Sequence, residues 1–170
     1  MANLGMYFAL TDAQRDKLLS MGSDDDRKYL ISDEIEEEWD EENLCEVEKA
    51  WGQIHCVLNE YTPPADYFDF DAGKEPIKLA VLGGKRIMQE EDWYCIRMIE
   101  ADKVPAVADA VATITQEEFA KRYWKHCESV WPLGGTEEGL EYSYGYFTGV
   151  QEFFARVRDS GRCVIFTADL

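Results

Sequence analysis

The chain is short of positive charge: 17 Lys and Arg stand against 35 Asp and Glu, a formal charge of −18 over 170 residues. A surface of that sign repels nucleic acid and anionic membrane, which excludes unassisted binding to either. Long hydrophobic runs are missing as well, none approaching the roughly 20 residues that cross a bilayer. The opening MANLGMYFAL has no Lys or Arg ahead of its apolar residues and no small-residue cleavage pattern, so it does not read as a secretory signal. A cytoplasmic protein is expected. Histidine is scarce, with only His55 and His126. Neither H-E-x-x-H nor paired cysteine knuckles occur, so no metal is expected. The five cysteines, Cys45, Cys56, Cys95, Cys127 and Cys163, are odd in number and lack a C-x-x-C, the distribution of reduced thiols in an intracellular core.

Catalytic signatures are equally thin. There is no G-x-S-x-G elbow and no G-x-G-x-x-G after a strand. The run LGGKRI could turn backbone N–H groups toward a phosphate, with Lys85 and Arg86 nearby. A P-loop would need glycine at Leu79 and Ser or Thr at Arg86, so the sequence favours a tight turn whose glycines take positive φ. His55–Cys56 and His126–Cys127 are adjacent pairs, which do not converge on one reacting atom; a pair from distant segments, such as Cys163 with His55, stays open. No catalytic residue and no cofactor is indicated.

What the chain does have is apolar material, 46% hydrophobic and 13% aromatic, enough for the core of one domain spanning 1–170. The cleanest helical period runs from Asn43 to Asn59, where Leu44, Val47, Trp51, Ile54, His55 and Leu58 share a narrow arc. A single core-facing helix is expected there, with Trp51 mostly buried near its middle and His55 at the edge of the arc, where a ring nitrogen could reach water or a ligand.

Between Ser20 and Glu48 there are thirteen acidic residues and two basic ones, Arg27 and Lys28, so −11 of the net charge is local. Ile31, Ile35 and Trp39 recur every four residues, predicting an amphipathic helix over 24–39 with Glu36, Glu37 and Glu38 toward solvent. Further helices are expected over 12–20, 103–113, 116–126 and 137–160. TDAQ and TQEE have the form of capping boxes at Thr11 and Thr115. Strands are expected over 4–10, 77–82, 93–99 and 163–167. The stretch 61–76 holds three of the five prolines and reads as a long connection, a length that often serves function. Strands at both ends and in the middle, without regular β–α alternation, give an α+β class.

Several fragments in order resemble the YfbM-like family of small bacterial proteins, a domain of unknown function. They are LGMYFALT with its capped helix, WGQIHCVLN, AVLGGKRI, the valine- and alanine-rich helix before TQEEFAKRY, Trp131–Pro132 and FFARVRDSGRCVIF. The resemblance runs nearly end to end. It implies an α+β fold and a bacterial cytosolic setting, and transfers no catalytic residues. In EADKVPAVADAV the proline lies further inside than the family's usual proline-led start, so the beginning of that helix is the point of departure.

Two functional expectations follow. The first is a non-catalytic interaction protein whose acidic face, with Glu36, Glu37, Glu38, Asp40, Glu41 and Glu42, docks a basic protein, in one form an inhibitor or immunity protein. The second is a small-molecule-binding protein or enzyme. Its pocket would lie between the 43–59 helix, the Gly83–Gly84 turn and the 61–76 loop, with polar contacts from His55, Lys85, Arg86 and Arg97 and walls from Trp51, Tyr67 and Trp93.

Overall fold

Successive side chains of a strand go to opposite faces of its sheet, and β1 (Gly5–Leu10) is buried along its whole length. Tyr7 and Ala9 join one core while Met6, Phe8 and Leu10 join another. The sheet around β1 must therefore be covered on both sides. The computed structural model describes residues 3–65 and 67–170. In it β1 lies between β2 (Leu44–Glu48) and β5 (Cys163–Asp169), and β4 (Tyr94–Ile99) and the short β3 (Lys85–Arg86) continue the sheet in the order β2-β1-β5-β4-β3. Every neighbouring pair is antiparallel.

Two short helices cover one face: α1 (Asp12–Ser20) and α2 (Asp24–Leu30) contribute Leu18 and Leu30, with Ile31 and Ile35 from the turn beyond. Four helices build the larger core on the other: α3 (Trp51–Asn59), α4 (Val104–Ala112), α5 (Gln116–His126) and α6 (Glu137–Val157). The class is α+β, as expected. At Thr11 the capping box is complete: its hydroxyl accepts from the Gln14 N–H at 3.1 Å, and the Gln14 side chain accepts from the Thr11 N–H at 2.9 Å. At Thr115 only half forms, because Glu118 turns its carboxylate to Arg122 at 2.8 Å. The valine-rich helix begins at Val104, which leaves Pro105 within its first turn, where a missing N–H costs nothing. The final strand extends two residues past the expected 163–167, to Asp169, and α6 stops at Val157, short of the expected 160.

Three expectations need correction. The 43–59 helix is instead β2 followed by α3. Glu48 turns the chain with a left-handed φ of 41°, and the residues before it follow the two-residue period of a strand, with Cys45 and Val47 facing the larger core and Leu44 the smaller. The same apolar residues satisfy both periods, and no Gly or Pro marks the break. Trp51 consequently opens α3 instead of sitting mid-helix, and it is partly buried. The expected 24–39 helix leaves α geometry at Leu30 and closes with one wide turn, Ile31–Ile35, where the Glu36 N–H donates to the Ile31 carbonyl. Trp39 is not in the apolar stripe: it takes φ 44° and is 43% exposed. Finally, Ile77–Ala80 is a 3-10 turn and not a strand. Leu79 and Ala80 are buried, the Ala80 carbonyl accepting from the Tyr7 hydroxyl at 2.5 Å across the core, and a short apolar run cannot by itself distinguish the two forms.

Trp51 packs over the start of β1 against Phe166 and Phe68, ring centroids 6.5 and 6.1 Å away, and its indole N–H donates to the Asn3 carbonyl at 2.9 Å. A methyl group on Gly5 would lie 2.8 Å from the Trp51 ring, so glycine there makes room for the indole. Trp51→Ala is expected to cost about 3 kcal/mol, the lower end for emptying a large aromatic site, because the ring is only partly buried. Urea unfolding would measure it; a loss under about 1 kcal/mol would show that the indole carries no packing.

Candidate functional site

His55 does not reach solvent. It is fully buried on α3; its Nε2 lies 2.9 Å from the Asp69 carbonyl, and its Nδ1 lies 3.3 Å from the side-chain amide of Asn59. A carbonyl only accepts, so the ring carries its proton on Nε2 and accepts at Nδ1. The ring also packs against Phe68 and Tyr61, at 5.4 and 6.2 Å. The Tyr61 hydroxyl accepts from the Asp69 N–H at 2.9 Å, so both backbone groups of Asp69 are held. His55 is thus a clasp that fastens the 61–76 loop to α3. Burial pushes its pKa down to about 4, against smaller raising effects of Asp69.

The Gly83–Gly84 turn borders a separate concavity of about 540 Å³, lined by Lys78, Lys85, Arg86, Arg97 and Lys103 together with Asp71, Glu75 and Glu100. Neither glycine has positive φ. They are required by close approach instead, since a Cβ would fall 2.2 Å from the Lys78 carbonyl at Gly83 and 2.9 Å from the Met98 carbonyl at Gly84. The cations are largely answered from within. Arg97 is clamped by both oxygens of Glu91 at 3.0 and 2.6 Å and lies over the Phe70 ring at 5.3 Å. Arg86 lies 3.6 Å from Glu91 and donates to the Met88 and Gln89 carbonyls. Lys85 faces Glu100 at 3.9 Å and Lys103 faces Glu75 at 3.7 Å. Lys78 alone among these has no ion pair within the described residues.

Trp51 and Tyr67 meet at a different place, a cleft of about 390 Å³ between the first turn of α3, residues 63–65, 67 and 68, and residues 129–131. Phe68, Pro63, Pro64, Trp131 and Lys49 complete its walls. Trp93 is remote from both concavities, 49% exposed beneath the Lys28 ammonium at 3.4 Å. The seven residues expected around one pocket therefore divide: three border the glycine turn, two the aromatic cleft, His55 is enclosed, and Trp93 stands apart. Lys49 and Trp131 are not recognisable as site residues from the sequence because their neighbours in space come from three distant segments.

Of the acidic residues, Glu37, Glu38, Asp40, Glu41 and Glu42 are exposed and Glu36 is half-buried. Burial, with Glu46 and Asp169 adding repulsion, raises the Glu36 pKa. All five cysteines are buried and free. Hydrogen bonding to Cys127 and burial push the Cys56 thiol far up, so it is an unreactive core group. Cys163 packs in the smaller core and His55 lies on α3, over the opposite face, so the sheet separates that pair. Among the described residues no group of three or more His, Cys, Asp or Glu is placed to hold a metal. No described helix is long and apolar enough to cross a membrane.

These features define an α+β protein built on a five-stranded antiparallel sheet. The chain belongs to the family described as a domain of unknown function (DUF1877), whose model matches residues 1–167. It is similar to the crystal structure of YfbM, a protein of unknown function from Escherichia coli, at 16% identity, with 97% of this chain and 99% of that one covered and a TM-score of 0.63. At that identity the likeness shows the fold. No curated protein matches the chain.

A histidine buried neutral binds fewer protons in the folded state than in the unfolded one, whose pKa is near 6.5. Its stabilisation is therefore complete above about pH 6.5 and is lost as pH falls toward 4, roughly 3 kcal/mol in all. His55→Gln keeps a donor for the Asp69 carbonyl and removes the titration. The variant is expected to be about 1 to 2 kcal/mol less stable than the parent at pH 8, with the gap closing or reversing near pH 4.5. Urea unfolding at the two pH values checks this; parallel losses in both proteins would show that His55 does not titrate as a buried neutral group.

Proposed function

We propose that the protein is a non-catalytic docking protein that meets a basic protein through the acidic segment between Ser20 and Glu48. The observation that carries it is a stretch of exposed carboxylates left without cations. Of the exposed acids from Asp25 to Glu46, only Glu34 has a basic partner among the described residues, Lys17 at 2.5 Å. Like charges gathered without partners repel one another and weaken the fold that holds them, a cost that a basic partner reverses. Tyr29 and Trp39, 66% and 43% exposed, stand among these carboxylates. Aromatic anchors ringed by charge are the composition of protein interfaces, where Tyr and Trp carry a large share of the binding energy. One form of partner is a nuclease, whose phosphate-binding surface would accept carboxylates in the same role.

The test uses immobilised full-length protein and a lysate of its source organism, with a second column bearing Glu37→Gln, Glu38→Gln, Glu41→Gln and Glu42→Gln together. These exposed changes should each alter stability by under about 0.5 kcal/mol. A basic protein is expected to bind the parent at about 50 mM salt, to elute by about 0.5 M as screening shortens the reach of the charges, and to bind the variant at least about tenfold more weakly. Trp39→Ala should weaken it further. If no basic protein is retained, or the variant retains it equally, the docking function is rejected.

A further inference from the structure

The cleft beside α3 differs in chemistry from the concavity at the glycine turn, and the difference defines a ligand. Its two flanks are large aromatic side chains turned to water, Tyr67 at 65% exposure and Trp131 at 56%, while Trp51 and Phe68 form the wall between them. Apolar rings gathered at the mouth of a cavity mark a binding surface, because single exposed rings are common but a convergent set is not. Their flat faces favour another ring at stacking distance. The Trp51 indole N–H is already given to the Asn3 carbonyl, so this residue offers surface and no hydrogen bond.

Charge separates this cleft from the one at the glycine turn. There, each cation except Lys78 faces a carboxylate. Here, no Asp or Glu lines the cavity among the described residues, in a chain of net charge −18, and one cation does. Lys49 carries its ammonium 5.4 Å from the centre of the Trp131 ring and has no ion pair among the described residues. A cation held beside an aromatic face, with no carboxylate beside it among the described residues, supplies a strong electrostatic contact for a ligand there. The volume, about 390 Å³, is at the small end of the roughly 300–1,000 Å³ range of ligand sites and suits a single planar ring system.

We propose that this cleft binds a small planar aromatic monoanion, with its ring against Trp131 and Tyr67 and its carboxylate or equivalent toward the Lys49 ammonium. The site is independent of the acidic segment. Trp51 and the clasped loop shape it, and His55 holds that loop without touching the ligand.

The proposal is tested on the full chain with indole-3-acetate as the probe anion and neutral indole as its uncharged counterpart, by titration calorimetry at constant ionic strength. Indole-3-acetate is expected to bind saturably and at least about tenfold more tightly than indole. Lys49→Gln should weaken the anion about five- to tenfold and leave indole unchanged, whereas Trp131→Ala should weaken both; unchanged melting temperatures would show that both variants fold. Absence of saturable binding up to about 10 mM, equal affinity for indole, or insensitivity to either substitution overturns it.

Discussion

Everything in this molecule depends on β1 being buried on both faces. A strand that sends Tyr7 to one side and Phe8 to the other cannot be stable unless both sides are covered, and the two coverings are unequal: four helices on one face, two short helices and a wide turn on the other. The larger layer can afford irregularity. It is in this layer that the chain leaves β2 through a left-handed Glu48, places Trp51 at the start of α3 over Gly5, and clasps the proline-rich loop onto the helix through His55. The aromatic cleft is a by-product of that clasp: the loop is held at Asp69, while Tyr67, two residues earlier, remains in water.

The two exposed regions of functional interest lie with different layers. The acidic segment begins on the α1–α2 side, whose helices are short, and among the described residues its exposed carboxylates other than Glu34 have no ion pair; the cleft belongs to the α3–α6 side. A −18 chain whose described residues bring one lysine and no carboxylate to the cleft distributes its few cations selectively. Most of the others that line a concavity are locked to glutamates, and the Arg97–Glu91 pair in particular is almost enclosed, so it holds the β3–β4 end of the sheet in place more than it offers charge to a visitor.

The helices and strands with an uncontested period were legible from the sequence: β1, α1 with its Thr11 box, β4, α4, α5, α6 and β5 fall close to their expected places. The failures share one cause. Leu44, Val47 and Trp51 fit a helix as well as they fit a strand followed by a helix, and the element boundary is made by Glu48 adopting left-handed backbone, which no local residue type announces. In Ile77–Leu82 the four residues from Leu79 to Leu82 are buried in succession, which leaves no alternation to tell a strand from a turn of helix. The site was legible only in part. Trp51 and Tyr67 do share a cavity and Lys85, Arg86 and Arg97 share another, but sequence could not show that Lys49 and Trp131 join the first, or that Glu91 sits behind the second.

The two strands nearest the ends of the chain, β1 and β5, are partners at the middle of the sheet, with Gly5 opposite Ala168 and the Asp169 N–H donating to the Leu4 carbonyl. The central pairing therefore joins residues separated by almost the whole chain, the kind of contact whose loop-closure entropy slows folding most. Without β5 in place, β2–β1 and β4–β3 are two separate ribbons, each with an open edge where β5 should be. Loss of β5 alone would therefore divide the sheet in two instead of trimming its edge, leaving two open strand edges to associate wrongly.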